Sequence, residues 1–291
     1  MVYDILITAL SLAGIYFLIS FGVTLLYGVG GFPNLAIGPI GLTGAYITCS
    51  ALRANIHVPG CLFLGLGGAM LMGILIQKFV VEPLFNSVGG GDRGRIFVIY
   101  GTFGLCLLVP AILQNVFKTT MMNVRMPSLG AYKILHTSIT GYQLLSIGIA
   151  LALFVVPHFF LTRTKGGTKV RGVTQNAFLS RLIGVKVLRI YAVTAGVAAA
   201  TAYIGALLWG EIFSLELGSG TMFTLYGFMI SVMGGLGSIY GAFLVSILLG
   251  LSTSATSFLI GGVFEHIITT LILILVLIFA PRGLVPTKRE V

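Results

Sequence analysis

Seven carboxylates, four histidines and three cysteines are the side chains in this 291-residue sequence that could carry acid–base, metal or nucleophilic chemistry. Their spacing assembles no such site. His57, His136, His158 and His266 are scattered, with no HExxH and no paired spacing of the kind a zinc site uses. Each reads as an interfacial or packed histidine. Cys49, Cys61 and Cys106 are odd in number and irregular in spacing, so they give no disulfide framework. They read as small apolar residues. No GxSxG is present. The run Gly89-Gly90-Gly91-Asp92-Arg93-Gly94-Arg95 has a phosphate loop's composition, but GxxxxGK[ST] is absent and the run follows an apolar helix rather than a strand. It reads as a turn. No catalytic residue, metal site or bound cofactor is expected on this chain.

The elements that would position these side chains are membrane helices. Hydrophobic residues make up 57% and charged residues 8%, against about 25% charged in a soluble domain, and the mean hydropathy is +1.07. Apolar runs recur at 5–28, 36–52, 60–81, 95–117, 141–161, 190–210, 219–234, 238–257 and 258–280. Runs of about 20 residues match the hydrocarbon core, where only helices and closed barrels satisfy the backbone. These runs lack a barrel's alternation. The expected fold is therefore all-α: one polytopic transmembrane helical bundle over 1–291 with about 8–10 membrane segments. Segment 36–52 is rich in glycine. Segment 219–234 measures roughly 22 Å at about 1.5 Å per residue. Either could stop short of a full crossing. The N-terminus carries Asp4 where a signal peptide would be basic, so it reads as a retained first helix.

Between Thr162 and Ile190 stand Arg163, Lys165, Lys169, Arg171, Arg181, Lys186 and Arg189 with no acid. The positive-inside rule puts this stretch, 162–189, in the cytoplasm. Nine crossings then leave the N-terminus outside and the C-terminus cytoplasmic. Lys78, Arg93, Arg95, Arg282, Lys288 and Arg289 fall on the same inner side, against Arg53, Lys118, Arg125 and Lys133 outside. The net charge of +10 thus reads as topology rather than as nucleic-acid binding. Glu82 stands at an inner helix end, Glu211 and Glu216 in an outer loop, and Glu265 in the outer third of the last segment. None is at mid-depth, where a proton- or sodium-coupled carrier places its carboxylate. Energy for transport is expected from elsewhere.

Glycine is abundant at 40 residues, often at small-xxx-small spacing such as Gly41 with Ala45 and Gly237 with Gly241, which suits close helix packing. Tyr27-Gly28-Val29-Gly30-Gly31 and Met233-Gly234-Gly235-Leu236-Gly237 hint at an internal repeat, both on the inner side. Val170, Val173, Ala177 and Phe178 fall on one face of a short amphipathic helix that Gly184 closes. Such a helix could lie on the membrane or dock in a partner's groove.

At this loop the chain resembles a known family. Arg163-Thr164-Lys165-Gly166-Gly167, Arg171-Gly172-Val173-Thr174-Gln175-Asn176-Ala177 and Leu182-Ile183-Gly184-Val185 are similar to the coupling loop of ABC importer permeases, in the branched-chain amino acid branch. Gly22 through Val29, Gly41 through Tyr46, Thr102-Phe103-Gly104, Ile112 through Asn115, Met233 through Ala242 and Phe279 through Leu284 extend the likeness over nearly the whole chain. Asn34-Leu35-Ala36-Ile37-Gly38 departs from the family's Asn-Phe-Ala-His-Gly, with Ile37 for the histidine and Pro39 where an acid often follows.

The resemblance implies a permease subunit in the prokaryotic cytoplasmic (inner) membrane that moves a small polar solute, branched-chain amino acids first. ATP would be bound and hydrolysed by two partner subunits. A second permease, homologous or identical, and an extracytoplasmic solute-binding protein complete the set. It assigns Arg171, Gln175, Asn176, Ala177 and Gly184 to ATPase coupling. Asn34, Gly38, Gly41, Gly234, Gly235 and Gly237 would border the translocation path. The alternative is a self-sufficient secondary carrier or channel for solutes such as urea or short amides. No nucleic acid is expected as a partner.

Overall fold

The computed structural model describes residues 2–87, 89–118, 121–124, 126–127, 130–134, 137–280 and 283–285. Arg125, His136, Pro281, Arg282, Lys288 and Arg289 lie outside the described residues, as do the side chains of Lys133, Glu265 and His266. The helices are α1 (Val2–Gly30), α2 (Ile37–Arg53), α3 (Val58–Ile76), α4 (Glu82–Ser87), α5 (Gly91–Phe117), α6 (Gly141–Arg163), α7 (Lys165–Gln175), α8 (Ala177–Leu182), α9 (Val187–Ile212), α10 (Ser219–Gly234), α11 (Ile239–Leu259) and α12 (Glu265–Phe279). Each of the nine expected segments contains a helix. Among the described residues six are long and apolar enough to cross a membrane: α1, the rod of α3 and α4, α5, α6, α9 and α11. Helices α2, α10 and α12 have 17, 16 and 15 residues, fewer than the roughly 20 a straight crossing needs.

A π turn, Gln77–Val81, joins α3 to α4. Pro83 follows it and has no N–H for the carbonyl one turn back, and the wider turn absorbs that mismatch. Glu211 lies in the last turn of α9 rather than in a loop, where its carboxylate accepts the Met126 N–H at 3.4 Å. The 118–140 loop holds strands that its sequence does not announce. Residues Met121–Met122 (β1) pair with Leu215–Glu216 (β4), and Ala131–Ile134 (β2) pairs with Thr137–Thr140 (β3), both antiparallel. Strands of two to four residues are too short to display a period of two.

Helix α1 is the axis of the bundle. It is apolar on every side and buried through most of its length, as an interior helix must be. Helices α6, α9, α10 and α11 surround it. Ser11 Oγ meets Ser146 Oγ of α6 at 3.0 Å, and Ser254 of α11 donates to the Ile5 carbonyl at 2.9 Å. Tyr203 of α9 meets Thr48 of α2 at 2.9 Å. Such hydroxyl bonds, with small residues at the crossings, hold helices together where lipid removes the hydrophobic drive between them.

These contacts fix the ends. Ser254 and the start of α1 lie at one end of the bundle. At the other, Gly28 meets Gly237, with 3.6 Å between a Cβ built on Gly28 and the Gly237 Cα. The two glycine-rich turns noted as a repeat therefore touch. Val29, Val173 and Val187 form a small buried cluster there, so α7 and the start of α9 lie at the Gly28 end. So does the tail, where Leu284 N–H donates to the Met233 carbonyl at 2.8 Å and Val285 N–H to that of Gly234 at 3.1 Å. The tail supplies donors that the end of α10 lacks. The beginning of α1 and residues 283–285 thus stand at opposite ends of the bundle.

The expected single amphipathic helix is two helices meeting at Asn176. Asn176 leaves the helical region (φ −153°, ψ 102°), and its Oδ1 accepts the Leu179 N–H at 3.0 Å. An Asn that caps the next helix ends the previous one. The break turns Phe178 away from the face shared by Val170 and Val173: Val173 is buried, whereas Phe178 is 69% exposed. Gly184 closes α8 at φ +82°, with Gly184 N–H on the Arg181 carbonyl and Val185 N–H on that of Ser180. This paired bonding is the Schellman ending, which glycine permits.

Candidate translocation and coupling site

Three neighbouring features near the Gly28 end could serve passage of a solute or the transmission of force: an interrupted crossover, a cavity and an exposed elbow. After α1 the chain turns at Gly31 (φ 78°) and Pro33, then re-enters the bundle to start α2. Non-helical backbone survives at depth only if its polar groups are engaged by protein or water. Thr102 Oγ1 of α5 accepts the Leu35 N–H at 3.3 Å, and Thr224 of α10 donates to the Leu35 carbonyl at 2.9 Å. Asn34, 2% exposed, accepts the Ala36 N–H at 2.9 Å. Pro39 sits in the first turn of α2, where a missing N–H costs nothing.

The other residues assigned to the path make close helix contacts. A Cβ on Gly38 would collide with the Gly220 carbonyl and Thr224 of α10. One on Gly41 would lie 2.7 Å from the Ala202 carbonyl carbon of α9. Gly234 meets Gly241 backbone to backbone, Gly237 meets Gly28, and Gly235 lies against Gly283. Gly38, Gly41, Gly234 and Gly235 are buried.

A cavity of about 1350 Å³ opens at the Gly28 end. Its walls come from the end of α1, the π turn and α4, the Gly89–Gly91 turn and start of α5, the α7–α8 elbow, and the start of α9. Of the residues that the resemblance assigned to coupling, Gln175 and Ala177 line it; Arg171, Asn176 and Gly184 do not. None of Asn34, Gly38, Gly41, Gly234, Gly235 and Gly237 lines it. Its charged lining is Glu82, Arg95 and Arg181. Gln77, only 5% exposed, also borders it.

On the elbow, α8 and the Ile183 that ends it present Phe178, which also lines the cavity mouth, Leu179, Leu182 and Ile183 at 69, 56, 69 and 80% exposure. Thr164 and Asn176 cap α7 and α8, each accepting a backbone N–H three residues on, at 2.9 and 3.0 Å. The elbow is thereby ordered although little packs on its outer face. Among the described residues no group of three or more His, Cys, Asp or Glu side chains could hold a metal.

Sequence reasoning missed Thr102, Thr224, Gln77 and Arg181. A threonine in an apolar helix usually bonds its own preceding turn, so the two that grip Leu35 carry no mark in the sequence. Gln77 did carry one: a polar side chain interrupting an apolar run six residues before a proline.

Residues 5–280 match the family model described as branched-chain amino acid transport system / permease component. The chain is 26% identical to the high-affinity branched-chain amino acid transport system permease protein BraD of Pseudomonas aeruginosa, over 96% of this chain and 94% of that one. It is 26% identical to the corresponding LivH of Escherichia coli (94% and 92% covered) and 24% identical to the probable LivH of Methanocaldococcus jannaschii (95% and 90%). Among solved structures it resembles PsaBC from Streptococcus pneumoniae in complex with Fab, with TM-score 0.54 and 10% identity over 94% of this chain and 91% of that one, a likeness of fold alone. A helical bundle with six helices able to cross a membrane, matched to that model over nearly its whole length, is a multi-pass membrane protein and a transport subunit rather than an enzyme: the chain belongs to the branched-chain amino acid permease family of ABC transporters.

Proposed function

We propose that this chain is the membrane-spanning subunit of an ATP-driven importer of branched-chain amino acids in the cytoplasmic membrane. The α7–α8 elbow is its docking surface for an ATP-hydrolysing partner. The observation that carries this reading is α8 itself: three large apolar side chains stand exposed on an ordered six-residue helix within a basic loop, and Ile183 adds a fourth at its end. A short apolar helix held out on a capped elbow suits a hydrophobic groove on a soluble subunit. The basic residues of 162–189 support a cytoplasmic elbow and, with it, a cytoplasmic Gly28 end. The names of the relatives support the solute. Two ATP-binding subunits, a second permease and an extracytoplasmic solute-binding protein complete the importer.

The test is co-purification from native membranes with a tag on this chain, wild type against Phe178→Asp/Leu182→Asp. The wild type brings down soluble ATPase subunits and a second hydrophobic permease. The variant loses the ATPase subunits while its own unfolding temperature holds, since both side chains are largely exposed. Retention of the ATPase by the variant, or solute flux in vesicles containing this chain alone, overturns the reading.

A further inference from the structure

The cavity at the Gly28 end carries groups of both charges on walls that belong to different parts of the fold. Glu82, at the start of α4, lines it and has no ion pair among the described residues. Arg181, on α8, lines it and likewise has none. Arg95 adds a second guanidinium at the start of α5; one of its nitrogens holds the exposed Asp92 carboxylate at 2.9 Å. Gln77 borders both this cavity and a small void that runs inward beside Leu26 and Thr194. The residue is 5% exposed. Phe85 and Leu188 add apolar lining to the same cavity.

A carboxylate, guanidiniums, an amide and an apolar wall around one space form a complement to a free apolar amino acid. The guanidiniums match its α-carboxylate in the forked geometry that arginine offers. Glu82 matches its ammonium, and the Phe85–Leu188 wall its side chain. We infer that this cavity binds the zwitterion of a branched-chain amino acid on the release side, and that the bound molecule restrains the coupling elbow. The restraint follows from where the groups sit. Glu82 belongs to the continuous α3–α4 rod, while Arg181 belongs to α8, which touches the rest of the bundle little. An amino acid bridging the two fastens the elbow to the body, so accumulated solute slows further uptake. This inference rests on the importer reading above and gives that reading a regulatory site.

The experiment uses the assembled transporter with its partners in sealed vesicles, with the elbow end inside, loaded internally with L-leucine, with leucinamide (no carboxylate) or with 4-methylpentanoate (no amine). Uptake of labelled leucine is read relative to the same preparation without internal load. Internal leucine slows uptake, and neither analogue does at equal concentration. Glu82→Gln and Arg181→Gln each raise the half-inhibitory internal leucine concentration about tenfold or more, the effect of losing one charge-assisted hydrogen bond. Arg181→Lys keeps part of the inhibition. Uptake unaffected by internal leucine, inhibition that both analogues reproduce, or inhibition unchanged in both variants overturns the inference while the importer reading stands. Absence of ATP-dependent leucine uptake in the wild type overturns both.

Discussion

Replacing Gly41 with alanine separates two roles that the glycines of α2 could have. A Cβ at this position would lie 2.7 Å from the carbonyl carbon, 2.8 Å from the carbonyl oxygen and 2.9 Å from the Cβ of Ala202. Carbon atoms attract at about 3.5–4.0 Å and repel steeply inside it. Two of the three obstacles are backbone of α9, which no rotamer change can move. The helices must part, and overpacking of this kind costs about 1–3 kcal/mol. Alanine also improves helix propensity by about 1 kcal/mol, which hides part of the loss. Gly67 of α3 supplies the reference, because nothing lies within 4 Å of a Cβ placed there. The propensity gain is common to both variants, so the difference between them isolates the steric cost.

The assay is thermal unfolding of the purified chain in mild detergent, followed by the fluorescence of Trp209. This is the only tryptophan. It lies on α9, the helix that Gly41 meets, and packs on Phe213 with ring centroids 4.5 Å apart. Gly41→Ala is expected to melt below Gly67→Ala by about 2–4 °C for each kcal/mol. Equal melting of the two variants refutes the packing argument. Equal melting with uptake lost only in Gly41→Ala goes further and makes Gly41 part of the permeation surface.

Three other outcomes follow from the geometry. Thr224→Val leaves the part-buried Leu35 carbonyl without its donor and should cost about 1 kcal/mol in the same unfolding assay; combined with Thr102→Val the losses should not add, because both threonines hold one residue. Gly184→Val forces a β-branched residue to φ +82° and strains the end of α8 by about 1–3 kcal/mol, read as faster protease cleavage between 176 and 186 with little change in melting. Gly283→Ala meets the backbone of Gly235 at φ +81°, so the Leu284 and Val285 amides should lose protection in hydrogen exchange as the tail leaves the end of α10.

The nine segments were legible because a bilayer demands long uninterrupted apolar runs, and these stand out against loops that carry nearly all the charge. The shortness of α2 and α10 was legible for the same reason. The break at Asn176 was harder. Asn is tolerated inside helices, and only the capping geometry at Leu179 shows that it starts a new one here. The apolar spacing from Val170 to Phe178 therefore suggested one face where the fold makes two. The glycines expected to border the path were legible as glycines, but sequence spacing could not say what each one meets. The cavity lies further still from the sequence. Glu82, Arg95 and Arg181 belong to three separate helices, and nothing local in the chain brings them together.

The paired glycine turns suggest how an impulse at the elbow would reach the centre of the bundle. Val173 of α7 packs against Val29, the last full side chain of α1 before Gly30. One residue earlier, Gly28 lies against Gly237 in the turn between α10 and α11. Helix α10 in turn carries Thr224, which holds Leu35 of the crossover, and Gly220, which faces Pro39 of α2. On the proposed function, force delivered to α8 passes through α7 to the end of α1. From there it acts on the α10–α11 turn and on the seam where the two short helices meet. Backbone-to-backbone contacts leave such a seam no compliant side chains to absorb the motion, so α1 and α10 must shift as one body or separate. The glycines at these contacts are then required twice, once for the close approach that stabilises the bundle and once for the stiffness that lets the elbow be felt within it.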